Sequence, residues 1–120
     1  MTRIFAYRGI EEGWCYLSVI GHAEGSEKAC AAISGLVYAL AGYLINSTGV
    51  MVRVDTLDSA DAVFDFLGDR DAVGAFRCVV IGLAQIAKEY PEQVQMEYLV
   101  GKNKKISDFR GEMRRGTLYH

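Results

Sequence analysis

The stretch GHAEGSEKACAAISGL, residues 21–36, joins two segments of different pattern. The segment WCYLSVIGH (14–22), which overlaps the start of the stretch, is rich in aromatic and β-branched residues, which predicts a strand. After its polar first part, the run 28–46 is long and apolar, which predicts a helix. Ser26, just before this run, is a candidate N-cap. The stretch is therefore expected to connect a strand to a helix. It carries one histidine, His22, and one cysteine, Cys30.

Outward from this connection, the sequence predicts four more strands and a second helix. Alternation and β-branched content predict strands over 2–8, 50–56, 61–67 and 94–100. An apolar stripe predicts a helix over 72–90, which Pro91 ends. The order β-β-α-β-β-α-β predicts an α/β fold of the α+β two-layer kind, a mixed sheet with two helices packed on it.

The charge is unevenly distributed along the chain. The length of 120 residues fits one domain, and the net charge of the chain is −2. Residues 101–120 hold six basic and two acidic residues, whereas residues 1–100 hold 7 basic and 13 acidic ones. We therefore expect a folded domain over 1–100 and a basic C-terminal tail over 101–120. Such a tail could contact nucleic acid or an acidic partner.

The cysteine count and the apolar run bear on the compartment. Cys15, Cys30 and Cys78 form an odd set without close spacing, which argues against a disulfide framework and favours a reduced cytoplasmic protein. The N-terminus has no segment of the signal-peptide kind. The apolar run 29–45 reaches the short limit of a membrane span. Its many small residues favour a buried helix instead, so no membrane partner is expected.

His22 and Cys30 can be interpreted in two ways. The first turn of a helix favours a thiolate, and an imidazole nearby could act as its general base. Alternatively, Cys30 is a small apolar residue of a buried helix and His22 caps a turn. A metal site is not indicated, because Cys15, His22 and Cys30 lack the close ligand pairs of zinc sites, and no phosphate-loop pattern is present. We therefore expect no metal or cofactor.

The motif around these two residues resembles that of the ribosomal-processing cysteine proteases called Prp. "GHA" ends a strand, and "G-x-acid-x-x-C-A-A-x-S" opens a helix. The segment GLAQIAKEYPEQVQMEY (82–98) is also similar to the second helix and last strand of that family, so the resemblance covers residues 1–98. It implies catalytic roles for His22 and Cys30. The supporting positions that it implies are Gly21, Ala23, Gly25, Glu27, Ala31 and Ser34.

The resemblance also implies a function. Such proteins are cytosolic Cys-His proteases, usually homodimers, that remove an N-terminal extension from a ribosomal large-subunit protein. Relatives in phages cut structural proteins. This sequence departs from the family in its shorter His-Cys segment, in Glu27 where the family has aspartate, and in Lys28-Ala29 where the family has an apolar pair. A phage-type or divergent member is therefore one of the expectations.

Two functions stay open at this point. One is a cysteine endopeptidase acting on a protein or peptide. The alternative is a non-catalytic ribosome- or RNA-associated binding module on the same scaffold, using the basic tail. If the chain is a protease, Glu24 and Glu27 should favour basic residues in the peptide. Alternation places Trp14, Tyr16 and Ile20 on the strand face of His22, which predicts apolar subsites there.

Overall fold

One mixed sheet with two helices on one face makes up the fold in the computed structural model. The model describes residues 1–10, 13–47, 49–58 and 61–101 and the backbone of 117–119. The elements are β1 (Thr2–Gly9), β2 (Trp14–Ile20), α1 (Glu27–Asn46), β3 (Met51–Leu57), β4 (Asp61–Leu67), α2 (Arg70–Glu89), β5 (Val94–Gly101) and β6 (Thr117–Tyr119). The predicted fold class and the order of the first seven elements are confirmed.

The strands lie in the order β5-β1-β2-β4-β3-β6. β1 and β5 pair in parallel, and the other neighbours pair antiparallel. The strand β6 was not expected, because residues 117–119 follow a polar segment without periodicity. Its backbone pairs with Val52–Val54 of β3. The six basic residues of the tail lie outside the described residues, so a nucleic-acid role for them stays a prediction.

Alternation in the strands decides which side chains face the helices. The helix-facing side chains of the central strands are buried, among them Ile4, Ala6, Cys15, Leu17, Val19, Val52, Val54, Ala62, Phe64 and Phe66. They pack against the apolar faces of α1 and α2. The two helices also approach each other closely at Gly82, where an added Cβ would lie 2.9 Å from Leu36 Cδ1. A larger residue at 82 would require the Leu36 side chain to shift.

The helix α1 begins where the sequence predicts, since the Ser26 Oγ accepts a hydrogen bond from the Ala29 N–H at 3.2 Å. One face of α1 is buried, through Ala29, Ile33, Val37, Leu40, Ala41 and Leu44. The opposite face is exposed and includes Tyr38 and Tyr43. The expectation of a buried helix therefore holds for one face of α1, because the sheet and α2 contact only one side.

In length and composition, α1 is also the one helix of the described residues that could cross a membrane. In this fold its buried face belongs to the core shared with the sheet and α2. Core helices of this kind meet the same criteria as membrane spans, so length and composition alone are weak evidence for a span.

Part of the sheet face opposite the helices is buried from solvent. Trp14 is 1% exposed, and its Nε1–H donates to the Asp65 Oδ2 at 2.7 Å. The Arg53 Nε lies 4.0 Å from the Asp65 Oδ1. Tyr7 packs beside the indole with ring centroids 5.4 Å apart. Trp14 thus belongs to a buried polar and aromatic cluster, which removes it from the surface that could bind a peptide.

Candidate active site

The position of His22 is fixed by the glycine before it. Gly21 has φ +87°, the left-handed region, and an added Cβ would lie 2.5 Å from the Met1 carbonyl oxygen. The Gly21 N–H donates to the Asp61 Oδ1 at 3.1 Å, and the Gly21 carbonyl accepts from the Thr2 hydroxyl at 3.2 Å. The backbone on both sides of Gly21 is therefore anchored, and His22 follows directly as an exposed side chain.

The segment between His22 and the helix folds back on itself. The Glu24 N–H donates to the His22 carbonyl at 3.0 Å, and the Ser26 N–H donates to the Ala23 carbonyl at 3.0 Å. Gly25 takes φ +87°, which a residue with a side chain rarely adopts. These short-range hydrogen bonds make a compact turn, and Ala23 within it is buried.

Cys30 is the fourth residue of α1 and is half-buried. Its N–H makes the first bond of the helix, to the Ser26 carbonyl at 3.2 Å. The Ala23 N–H donates to the Cys30 Sγ at 3.2 Å, and the Sγ lies 3.6 Å from the Ala23 carbonyl oxygen. An N–H directed at sulfur stabilises negative charge there, as does the positive end of the helix dipole.

His22 and Cys30 line the same cavities. One cavity encloses about 390 Å³, part of it open to solvent. Its apolar wall is formed by Val19, Ile33, Val37 and Ala62, and its polar residues include Thr2, Tyr38, Asp58 and Asp61. A second, more open cavity lies along the turn and shares His22, Cys30 and Ser34 with the first. An imidazole, a thiol and an apolar wall are thus available to one bound molecule.

The eight residues singled out from the sequence lie together around these two cavities: Gly21, His22, Ala23, Gly25, Glu27, Cys30, Ala31 and Ser34. Gly21 lines the first cavity, whereas Ala23, Gly25, Glu27 and Ala31 line the second. Ser34 lies one helical turn after Cys30 and contributes to both. The structure places these residues in one site, and their roles in catalysis stay predictions.

The apolar wall does not come from the residues expected to supply it. Trp14, Tyr16 and Ile20 point to the sheet face opposite the helices, and none of them lines either cavity. The wall is formed instead by the helix-facing Val19 together with α1 and β4. The expectation of subsites at these three residues is wrong, because β2 ends at Ile20 and Gly21 redirects the chain before His22.

Sequence reasoning missed Thr2, Tyr38, Asp58 and Asp61. No local motif marks them, since they come from three distant parts of the chain. The one available signal is pairing between strands, because Ile20 at the end of β2 lies opposite Asp61 at the start of β4. That register was not evident from the alternation of either strand.

The other two cysteines differ from Cys30. Cys15 is fully buried between β1 and β4, and this burial raises the pKa of its thiol to about 12, an effect that the nearby charge of Arg8 partly offsets. Cys78 is exposed on α2. Within the described residues, no group of three or more His, Cys, Asp or Glu side chains is arranged to hold a metal ion.

Comparisons with known proteins show the family and similar solved structures. Residues 1–95 match the family model of the cysteine protease Prp. Among solved structures, the chain is similar to the ribosomal processing protease Prp from S. aureus in complex with a covalently linked product peptide, with a TM-score of 0.66 and 20% identity over 82% of this chain and 99% of that one. The same S. aureus protease with a substrate peptide gives 0.62 and 19% over the same shares of the two chains.

SMU.848 from Streptococcus mutans is also similar, with a TM-score of 0.63 and 21% identity over 84% of this chain and 96% of that one. No curated protein matches the chain. The similarity to solved structures supports the fold, and the match to the family model shows to which family the chain belongs. Because that model spans residues 1–95, including His22 and Cys30, the chain belongs to the Prp family of cysteine proteases.

Proposed function

We propose that the chain is an endopeptidase in which Cys30 is the nucleophile and His22 is the general base. The observation that carries the proposal is that both side chains line one cavity, with the Cys30 Sγ held by the Ala23 N–H at the start of α1. His22 takes the thiol proton, and the thiolate attacks a peptide carbonyl carbon. The leaving amine then receives the proton from the imidazole, and water hydrolyses the thioester.

Backbone N–H groups support the same proposal. The Ala23 N–H points at the Sγ, so it lies close to the position where the oxygen of a carbonyl group attacked by the Sγ at its carbon would become negative. At the start of α1, the Ala29 N–H donates to the Ser26 Oγ and the Cys30 N–H to the Ser26 carbonyl, whereas the N–H groups of Glu27 and Lys28 have no acceptor within the helix. Together they are candidates for the donors that stabilise an oxyanion.

Selective alkylation tests the proposal without knowledge of the substrate. With iodoacetamide below pH 7, we expect Cys30 to react fastest, Cys78 more slowly as an exposed reference, and Cys15 not at all because it is buried with a raised pKa. His22→Ala should slow the reaction at Cys30 and leave that at Cys78 unchanged. Equal rates at Cys30 and Cys78, unaffected by His22→Ala, would contradict the dyad.

For the substrate, we propose an extended segment of a ribosomal large-subunit protein or of a phage structural protein. The S. aureus structure is that of a ribosomal processing protease. Here the exposed carboxylates of Glu24 and Glu27 line the open cavity, which favours basic residues near the cut. Mass spectrometry of a cleaved peptide library should show basic peptides cut faster than acidic ones at low salt. A Glu24→Lys, Glu27→Lys variant that keeps this preference would contradict the charge argument.

We also propose that the protein is a cytoplasmic homodimer. The exposed face of α1 away from the two cavities carries Ala32, Ala39 and Tyr43, an apolar surface that a second copy could cover. Light scattering at micromolar concentration should give about twice the chain mass of 13.2 kDa. A monomer mass would contradict the dimer, and recovery of the protein outside the cytoplasmic fraction of cells would contradict the compartment.

A further inference from the structure

Asp61 is an acidic residue of the cavity for which the proposed dyad gives no role. It opens β4, and its Oδ1 accepts a hydrogen bond from the Gly21 N–H at 3.1 Å. It lines the same cavity as His22 and Cys30 and is half-buried. Its carboxylate therefore holds the backbone one residue before the imidazole, at the point where β2 has ended.

The register of the sheet explains why this carboxylate is available there. Ile20 and Asp61 form the last pair of β2 and β4, so the Asp61 side chain starts beside the residue that follows Ile20. Gly21 then turns into the left-handed region and leaves the strand, so its N–H needs an acceptor outside the ladder. The Asp61 carboxylate supplies this acceptor.

Asp61 is itself held in place by two hydrogen bonds to Asp58. Its N–H donates to the Asp58 Oδ1 at 2.8 Å, and its carbonyl accepts from the Asp58 N–H at 2.9 Å. A carboxylate on a constrained strand end bonding to a constrained glycine makes a rigid link. The charged or titratable groups that share a cavity with His22 are Glu24, Glu27, Cys30, Tyr38, Asp58 and Asp61. Of these six, Asp61 accepts from the Gly21 N–H, just before His22, and Cys30 accepts from the Ala23 N–H, just after it.

We propose that Asp61 is the positioning residue of the dyad and acts through His22. The inference rests on the proposed roles of His22 and Cys30. The hydrogen bond to the Gly21 N–H fixes the direction in which the chain leaves β2, and this direction determines where the imidazole stands relative to the Cys30 Sγ. The hydrogen-bond acceptor, and not the negative charge, is the property that the role requires.

The test compares three variants by two readouts, the alkylation rate of Cys30 and the kcat and KM for a cleaved peptide. Asp61→Ala removes the acceptor and should lower kcat about 10- to 100-fold with KM little changed, since misplacing a reacting group by about 1 Å costs this much. Asp61→Asn keeps the acceptor and should stay within about threefold of the parent protein. Asp55→Asn, an exposed site on β3, makes the same charge change and should have no effect.

A double variant shows whether Asp61 acts through His22. If it does, adding Asp61→Ala to His22→Ala should slow the alkylation of Cys30 no further, whereas independent effects would add. If Asp61→Ala does not fold, Asp61→Val replaces it, because a β-branched side chain suits a strand. Thermal melts and the alkylation rate of Cys78 report on the fold.

The outcomes separate this proposal from the one it rests on. If His22→Ala leaves the alkylation of Cys30 unchanged, the dyad itself is wrong. If His22→Ala slows it and Asp61→Ala does not, only the positioning role is overturned. Equal losses in Asp61→Asn and Asp61→Ala would also overturn it, because the charge and not the acceptor would then matter.

Discussion

Replacing Cys30 with alanine should abolish peptide cleavage while the protein stays folded. The substitution removes the nucleophile, so kcat/KM should fall by a factor on the order of 10⁴ or more. The fold loses little, because Cys30 is only half-buried and its thiol makes two hydrogen bonds of the weak sulfur kind, one accepted from the Ala23 N–H and one donated to the Ala23 carbonyl. The loss in the free energy of unfolding should be about 1 kcal/mol. Mass spectrometry of a peptide digest and a thermal melt would measure the two effects.

Cys30→Ser separates the chemistry from the geometry. The serine oxygen can still accept the Ala23 N–H, so the turn before α1 should keep its shape. An alcohol is a far weaker nucleophile than a thiolate near neutral pH, and cleavage should be lost here as well. Cys78→Ala is the matched control, since it removes an exposed cysteine from α2 and should leave the rate unchanged. Cleavage retained in Cys30→Ala would exclude Cys30 as the nucleophile.

The parts of this fold that follow from local pattern could be predicted from the sequence. The alternation over 61–67 predicts a strand over the residues that form β4. For the other predicted strands and helices, each end lies within two residues of the observed end. Ser26 predicts the start of α1 because an N-cap bonds within its own turn. The placement of Cys30 in the first turn of α1 could be predicted for the same reason, because His22, the connecting segment and Cys30 follow one another along the chain.

The parts that depend on pairing between distant segments could not be predicted. The hydrogen bond from the Gly21 N–H to the Asp61 carboxylate joins residues 40 positions apart. It forms because Ile20, the last residue of β2, pairs with Asp61, the first residue of β4. The burial of Trp14 depends on Asp65, 51 residues away, which accepts its indole N–H. Similarly, α1 is apolar on nearly every side, so the face that is left exposed depends on how the sheet and α2 pack against it.

Replacing His22 with alanine should lower kcat about 10²- to 10⁴-fold, the range typical of a lost general base. The effect on KM should be smaller, because the apolar wall of the cavity, formed by Val19, Ile33, Val37 and Ala62, is untouched. Stability should change by no more than about 0.5 kcal/mol, since the side chain is exposed and Gly21, not His22, holds the turn. Steady-state kinetics and a thermal melt would measure both.

Adding free imidazole distinguishes a chemical role of His22 from a purely structural one. The side chain is exposed and the cavities that it lines are open to solvent, so a free imidazole can reach the position that His22→Ala vacates. Because the missing group is a proton acceptor, imidazole should restore part of the turnover of His22→Ala and none of that of Cys30→Ala. If His22 served only to shape the turn, imidazole would restore nothing, since the backbone that holds the turn would still be displaced. Absence of rescue together with a lowered melting temperature would therefore assign His22 to the fold, and Cys30 would need another base.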